Sequence, residues 1–126
     1  MTSIEGAFTI KVDGQTVSNA EDNGEGKIQA SFGSEPATFT LIDGRLESNG
    51  CYLSRALVED RSLLPKRVYW FRKEEGNASA IHVVTAKPNG TTCSLLFSGA
   101  PLMSSNNLLF ADLMQDQGAS VEITMV

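Results

Sequence analysis

Six charged side chains, Arg55, Glu59, Asp60, Arg61, Lys66 and Arg67, crowd around Pro65 and run directly into Tyr69 and Trp70. Carboxylates and guanidinium groups can hydrogen-bond the hydroxyls of a neutral polar ligand while an aromatic ring stacks on its apolar face, which is the chemistry of carbohydrate recognition. The candidate ligand-binding residues are therefore Arg55, Glu59, Asp60, Arg61, Tyr69 and Trp70. The commoner use of such a group is an ion-pair network that fixes a long loop onto a sheet, because arginine–carboxylate pairs anchor loops with no ligand involved.

Signals for catalysis are sparse. His82 is the one histidine, and as a general base it would need a distant partner such as Glu59, Asp60 or Asp112. One His and two separated Cys give no metal-ligand spacing. Ser54, Ser62, Ser104 and Ser105 lie in no G-x-S-x-G elbow, and Gly24-Glu25-Gly26 lacks the strand-to-helix setting of a phosphate loop. No catalytic residue, metal or cofactor is assigned, and a binding protein is favoured over an enzyme.

The chain has 126 residues and a formal charge of −5, with 41% apolar and 20% charged residues and no long apolar run. This describes one domain over residues 1–126 and argues against a membrane span. The basic residues are scattered outside the stretch from Arg55 to Lys73, so the phosphate backbone of a nucleic acid has little to attract it. Met1 to Glu5 carries no secretory signal, which leaves a cytosolic chain or one whose signal was removed.

Other features lean towards the cell exterior. Cys51 follows a turn and Cys93 opens an alternating strand, a placement suited to a disulfide worth about 4 kcal/mol of unfolded-chain entropy; buried thiols are the alternative. Asn77-Ala78-Ser79 and Asn89-Gly90-Thr91 match the N-glycosylation triplet in stretches that read as exposed turns.

The elements that would position these groups are extended. Asp13-Gly14, Asp43-Gly44, Asn49-Gly50 and Asn89-Gly90 are tight-turn dipeptides, most with alternating polarity on both sides. Phe8, Ile10 and Val12 alternate with polar neighbours, as do Val121, Ile123 and Met125. Leu53 to Pro65 approaches helical spacing and reads as a helical turn or ordered loop ended by Pro65. Val68-Tyr69-Trp70-Phe71 has no polar interruption and reads as a central strand with Trp70 as core anchor. Asn106 or Asn107 caps a short helix over Leu109, Phe110 and Leu113, or else Leu108 to Ala111 is a strand. Leu102-Met103 and the run from Leu108 to Met114 read first as core. About ten short strands with one or two helical turns predict an all-β fold, an antiparallel β-sandwich or small β-barrel; a β-trefoil is the alternative, although no three copies of one unit align.

The segment Phe39-Thr40-Leu41-Ile42-Asp43-Gly44-Arg45-Leu46, with Tyr52-Leu53 and Arg61-Ser62-Leu63-Leu64-Pro65-Lys66, resembles patterns in small, poorly characterised secreted proteins of filamentous fungi. The resemblance covers under a third of the chain and implies a location outside the cell or at the wall. The sequence thus points to a non-enzymatic extracellular domain that binds a polysaccharide or other surface ligand. The competing readings are a cyclase-like barrel with an apolar cavity, which needs shape more than acid–base groups, and a structural or partner-binding module.

Overall fold

A computed structural model describes residues 1–19, 27–56, 59, 64–73, 81–89, 92–115 and 119–126, the side chains of Lys27, Asn89, Thr92 and Cys93 excepted. The strands are β1 (Ile4–Val12), β2 (Gln15–Thr16), β3 (Lys27–Gln29), β4 (Phe39–Ile42), β5 (Arg45–Ser48), β6 (Cys51–Arg55), β7 (Lys66–Arg72), β8 (Val84–Asn89), β9 (Thr92–Phe97), β10 (Leu102–Ser105), β11 (Leu108–Ala111) and β12 (Val121–Met125). Every ladder is antiparallel. The all-β reading holds, and the described residues contain no α-helix. Of the two helical turns read from the sequence, the one over Leu109 to Leu113 gives way to its strand alternative, and the one from Leu53 to Pro65 falls mostly on residues 57, 58 and 60–63, outside the described residues. Leu108–Ala111 is a strand paired with β10, and the Asn106-Asn107 step before it turns the hairpin with both residues at positive φ rather than capping a helix. Leu53 to Arg55 continues β6, paired with Trp70, Tyr69 and Val68.

The pairing repeats every four strands. The first and fourth strands of a unit are neighbours: β1 ladders with β4, β5 meets β8 where Val84 N–H donates to Gly44 O at 2.9 Å, and β9 packs on β12. The second and third strands come together: β6 ladders with β7 and β10 with β11, and the residues that follow β2 and β3 meet in the isolated Val17–Phe32 bridge. The units join by β4 to β5, β8 to β9 and β12 to β1. Three such units are the arrangement of a β-trefoil, present in the pairing although no threefold repeat shows in the residues. The wall β1, β4, β5, β8, β9 and β12 is a curled half-barrel, with β8–β9 a separate two-stranded sheet. The third strands close one end as a triangle. β3 pairs with β7, β7 with β11, and β11 returns to β3 through Leu109 N–H to Ala30 O at 2.9 Å.

Turn chemistry carries the same repeat. The connections β1–β2, β5–β6 and β9–β10 are Asp13-Gly14, Asn49-Gly50 and Ser98-Gly99, with φ of 51 and 78, 51 and 78, and 52 and 85 degrees. Positive φ at both central residues gives a turn whose twist matches its strands. Period-two alternation then decides what lies inside. Phe8, Ile10 and Val12 of β1, Phe39 and Leu41 of β4, Leu46 of β5, Leu95 and Phe97 of β9 and Trp70 of β7 meet in one core. Phe39 stacks between Phe8 at 6.2 Å and Trp70 at 5.6 Å, which ties the wall to the cap.

Gly44 is the turn position with least room. Its φ is +79°, its O receives Val84, and a Cβ there would lie 3.3 Å from Val83 Cβ and Cγ1. At Gly14, φ is +78° with nothing within 4 Å. Gly14→Ala is expected to lose about 1–2 kcal/mol for the left-handed conformation alone. Gly44→Ala is expected to lose more, because Val83 must also move; urea midpoints of the two variants measure the difference.

Candidate functional site

Arg55 ends β6 with its side chain turned inward, 6% exposed, and its charge is fully met. Nε donates to Glu59 Oε2 at 3.2 Å, Nη2 to Glu59 Oε1 at 2.6 Å, and Nη1 to the Phe97 carbonyl at 2.9 Å. His82 is bound to the same place by its backbone: its N–H donates to Arg55 O at 3.1 Å, and its carbonyl accepts from Ser54 Oγ at 2.7 Å. His82 Nε2 stands 3.9 Å from Glu59 Oε1.

The structure thus brings together Arg55, Glu59 and His82, one of the carboxylate partners that the sequence left open. It does not make a nucleophilic triad, because the Ser54 hydroxyl is spent on the His82 carbonyl rather than aimed at the ring. The group ties three segments together: the end of β6, the approach to β8 and the turn after β9. This is the loop-anchoring use of arginine and carboxylate, with planar bidentate geometry that lysine cannot reproduce.

The remaining candidates disperse. Trp70, expected as a surface on which a ligand stacks, is 3% exposed and lies on Phe39 in the core, because it shares the inward face of β7 with Val68. Tyr69 points the other way, half-buried, with its ring edge-on to Phe71 at 6.0 Å. Lys66 is buried at the start of β7 and Arg67 is exposed. Asp60, Arg61 and Asn77 lie outside the described residues, as do the side chains of Asn89 and Cys93, so the Cys51–Cys93 bond and both glycosylation sites stay expectations. A second charged group had no signal in the sequence. Lys73 Nζ reaches Glu47 Oε1 at 3.0 Å and sits 5.7 Å from the Tyr52 ring centre; the hydrogen bond to Glu47 and its charge raise the Lys73 pKa above the ordinary lysine value. Among the described residues no group of three or more His, Cys, Asp or Glu could hold a metal.

Several large apolar side chains are left in solvent: Leu64 at 70%, Met114 at 57%, Ile42 at 56% and Val83 at 48%. Their backbones differ. Ile42 belongs to the β4–β5 ladder, opposite Arg45. Met114 sits in a closed turn, where Gln115 N–H donates to Asp112 O at 3.3 Å and Oδ1 at 3.0 Å and Gln115 has φ of +56°. Leu64 precedes Pro65, and the β7 ladder begins only at Lys66.

Comparison with curated proteins and with solved structures returned no significant match. A profile of the peptidase inhibitor I66 family matches residues 35–124, from the approach to β4 into β12 and across well over half of the chain. The chain therefore belongs to the peptidase inhibitor I66 family.

Proposed function

We propose that this protein inhibits a peptidase by docking an exposed segment of its β-framework into the enzyme's cleft, and that it acts outside the cell. The observation that supports this is the family match spanning residues 35–124. The fold suits the task. An inhibitor succeeds when the segment it offers is already ordered, since freezing a flexible loop would consume the binding energy. Here the strands are joined by turns with fixed positive-φ geometry, and the Arg55–Glu59 pair pins the chain where it leaves β6.

The family match favours a protein partner over the polysaccharide expected from charge beside aromatics. Of the residues named for that ligand, Trp70 is in the core and Arg55 is committed to Glu59 and Phe97, Tyr69 is half-buried, and Asp60 and Arg61 lie outside the described residues. The cyclase reading, which needs an apolar cavity, has less support, since Phe8, Phe39 and Trp70 stack on one another within the core.

The test is titration of the purified chain against serine, cysteine, aspartic and metallo-peptidases with fluorogenic substrates. Reversible, stoichiometric inhibition of at least one is expected, with an inhibition constant on the order of 10⁻⁷ M or tighter for an interface of ordinary size. Unchanged activity of every enzyme at micromolar concentrations of the chain would refute the proposal.

A further inference from the structure

We infer that the β3–β4 connection is the segment this inhibitor offers, and that it lays the Ser34-Glu35 bond across the nucleophile of a serine endopeptidase whose primary pocket takes small side chains. The inference rests on the inhibitor reading above and deepens it.

Exposed apolar side chains such as Leu64 and Met114 decide nothing, since single ones are normal on any surface. Backbone shape and support do. Clefts that read a peptide take it extended, pairing with its main chain while pockets hold side chains. Six connections between strands are described throughout. Five of them turn on a pair of residues at positive φ, Asp13-Gly14, Asp43-Gly44, Asn49-Gly50, Ser98-Gly99 and Asn106-Asn107, and so tight a turn cannot be laid along a cleft. The sixth, between Gln29 of β3 and Phe39 of β4, has no residue at positive φ and carries four exposed residues in a row, Gly33-Ser34-Glu35-Pro36. The ring of Pro36 fixes its own φ and biases Glu35 towards extended backbone.

Both feet of this run stand on the end of β2 and the residues just beyond it. Gly33 N–H donates to Thr16 O at 3.0 Å, Ala37 N–H donates to Val17 O at 2.9 Å, and Phe32 bridges to Val17. Between the feet, Ser18 Oγ donates to Glu35 O at 2.7 Å. Glycine at 33 makes room for that clamp, because a Cβ there would lie 2.7 Å from the same Oγ. A run held at both ends and in the middle is ordered before it docks, which lowers the cost of binding.

The same contacts select the bond. A carbonyl under attack must face the enzyme's oxyanion hole. The Glu35 carbonyl is turned inward to Ser18, Gly33 has no side chain for a pocket, and Ala37 is buried. Ser34 is exposed and hydrogen-bonds to none of the described residues. The enzyme's serine Oγ adds to the Ser34 carbonyl carbon and gives its proton to the catalytic histidine; the bond from that carbon to Glu35 N breaks, and the nitrogen takes the proton. In a substrate the freed amine departs. Here Ser18 holds Glu35 and Val17 holds Ala37, so the amine stays beside the acyl group, attacks it, returns the proton and restores the bond.

Elastase, chymotrypsin and trypsin are the probes, with the full chain and four variants. Inhibition of elastase well above that of the other two is expected. Ser34→Arg should weaken it roughly 100-fold, because a small pocket rejects a long side chain, and should create inhibition of trypsin; Ser34→Phe should do the same for chymotrypsin. Ser18→Ala should still bind elastase but be cut faster, seen by mass spectrometry of the denatured protein as the fragments 1–34 and 35–126. Leu64→Ala, outside the loop, should change nothing. If the chain inhibits a peptidase yet both Ser34 variants keep its constants unchanged, or Leu64→Ala abolishes inhibition, the assignment of the segment is wrong while the inhibitor reading stands. Inhibition confined to cysteine, aspartic or metallo-peptidases overturns it in the same way, and a Ser18→Ala chain cut no faster than the wild type overturns the clamp. A chain that inhibits nothing removes both readings.

Discussion

Phe39→Ala is expected to cost about 3–5 kcal/mol, a large share of the roughly 5–15 kcal/mol by which a domain of ordinary size is stable. Phe39 is fully buried at the point where β4 faces the cap, with Phe8 on one side and Trp70 nearly parallel on the other, 10° between the ring planes. Truncation removes the transfer energy of a benzyl group, leaves a cavity between two rings that belong to different strands, and breaks two aromatic contacts together. The walls cannot close on that cavity easily, because Phe8 is held in register opposite position 39 and Trp70 opposite Leu53 and Ile28. The chain's single tryptophan reports the loss directly. Urea unfolding followed by Trp70 fluorescence should show a much lower midpoint for Phe39→Ala. Ile42→Ala, three residues along the same connection but 56% exposed, should shift by less than about 0.5 kcal/mol. Similar midpoints for the two would mean that the stack does not bridge wall and cap.

That stack shows how sequence reading divides. Phe8, Ile10 and Val12 alternate with polar neighbours, so their inward face could be read directly. In Val68-Tyr69-Trp70-Phe71 the alternation is hidden by an unbroken apolar run, and Trp70 was open to two uses, core anchor and ligand platform. The structure keeps the first because Val68 and Trp70 share the inward face. Turns were legible where glycine follows Asp or Asn, as at Asp13, Asp43 and Asn49. They were not legible at Ser98-Gly99 and Asn106-Asn107, which adopt the same positive-φ geometry with less distinctive residues. These missed turns are also why the four-strand period escaped notice: two of its three equivalent connections carry Asp or Asn before glycine, and the third carries Ser.

The helical spacing read from Leu53 to Pro65 is answered only as far as Arg55, where β6 ends; residues 57, 58 and 60–63 lie outside the described residues. An inward position of β6 is filled by Arg55, and a charged residue at a core position breaks the apolar rhythm that identifies a strand. Its burial depends on partners four and more than forty residues away, and the second of these, the Phe97 carbonyl, has no side-chain signature at all. Inhibition of a peptidase leaves little trace for a related reason. It needs no nucleophile, acid or metal, only an exposed stretch on a stiff support, and the stiffness lies in long-range contacts.

Arg55 is where that stiffness can be tested most sharply. Arg55→Met keeps the length and apolar stem of the side chain but strands the Glu59 carboxylate, 14% exposed, without its donor and leaves the Phe97 carbonyl only the longer bond from Ala100 N–H at 3.3 Å. Breaking one side of a buried pair costs about 3–5 kcal/mol, mainly through the charge left behind. Arg55→Lys should recover only part of this, because one ammonium cannot serve both carboxylate oxygens and a carbonyl beyond them. The double variant Arg55→Met with Glu59→Leu removes the stranded charge as well, and should be markedly more stable than Arg55→Met alone. Urea midpoints for the wild type, Arg55→Met, Glu59→Leu and the double variant close a double-mutant cycle. A strong coupling is expected; additive losses would show that the pair is incidental and that β6, the approach to β8 and the β9 turn are held together by their backbone bonds alone.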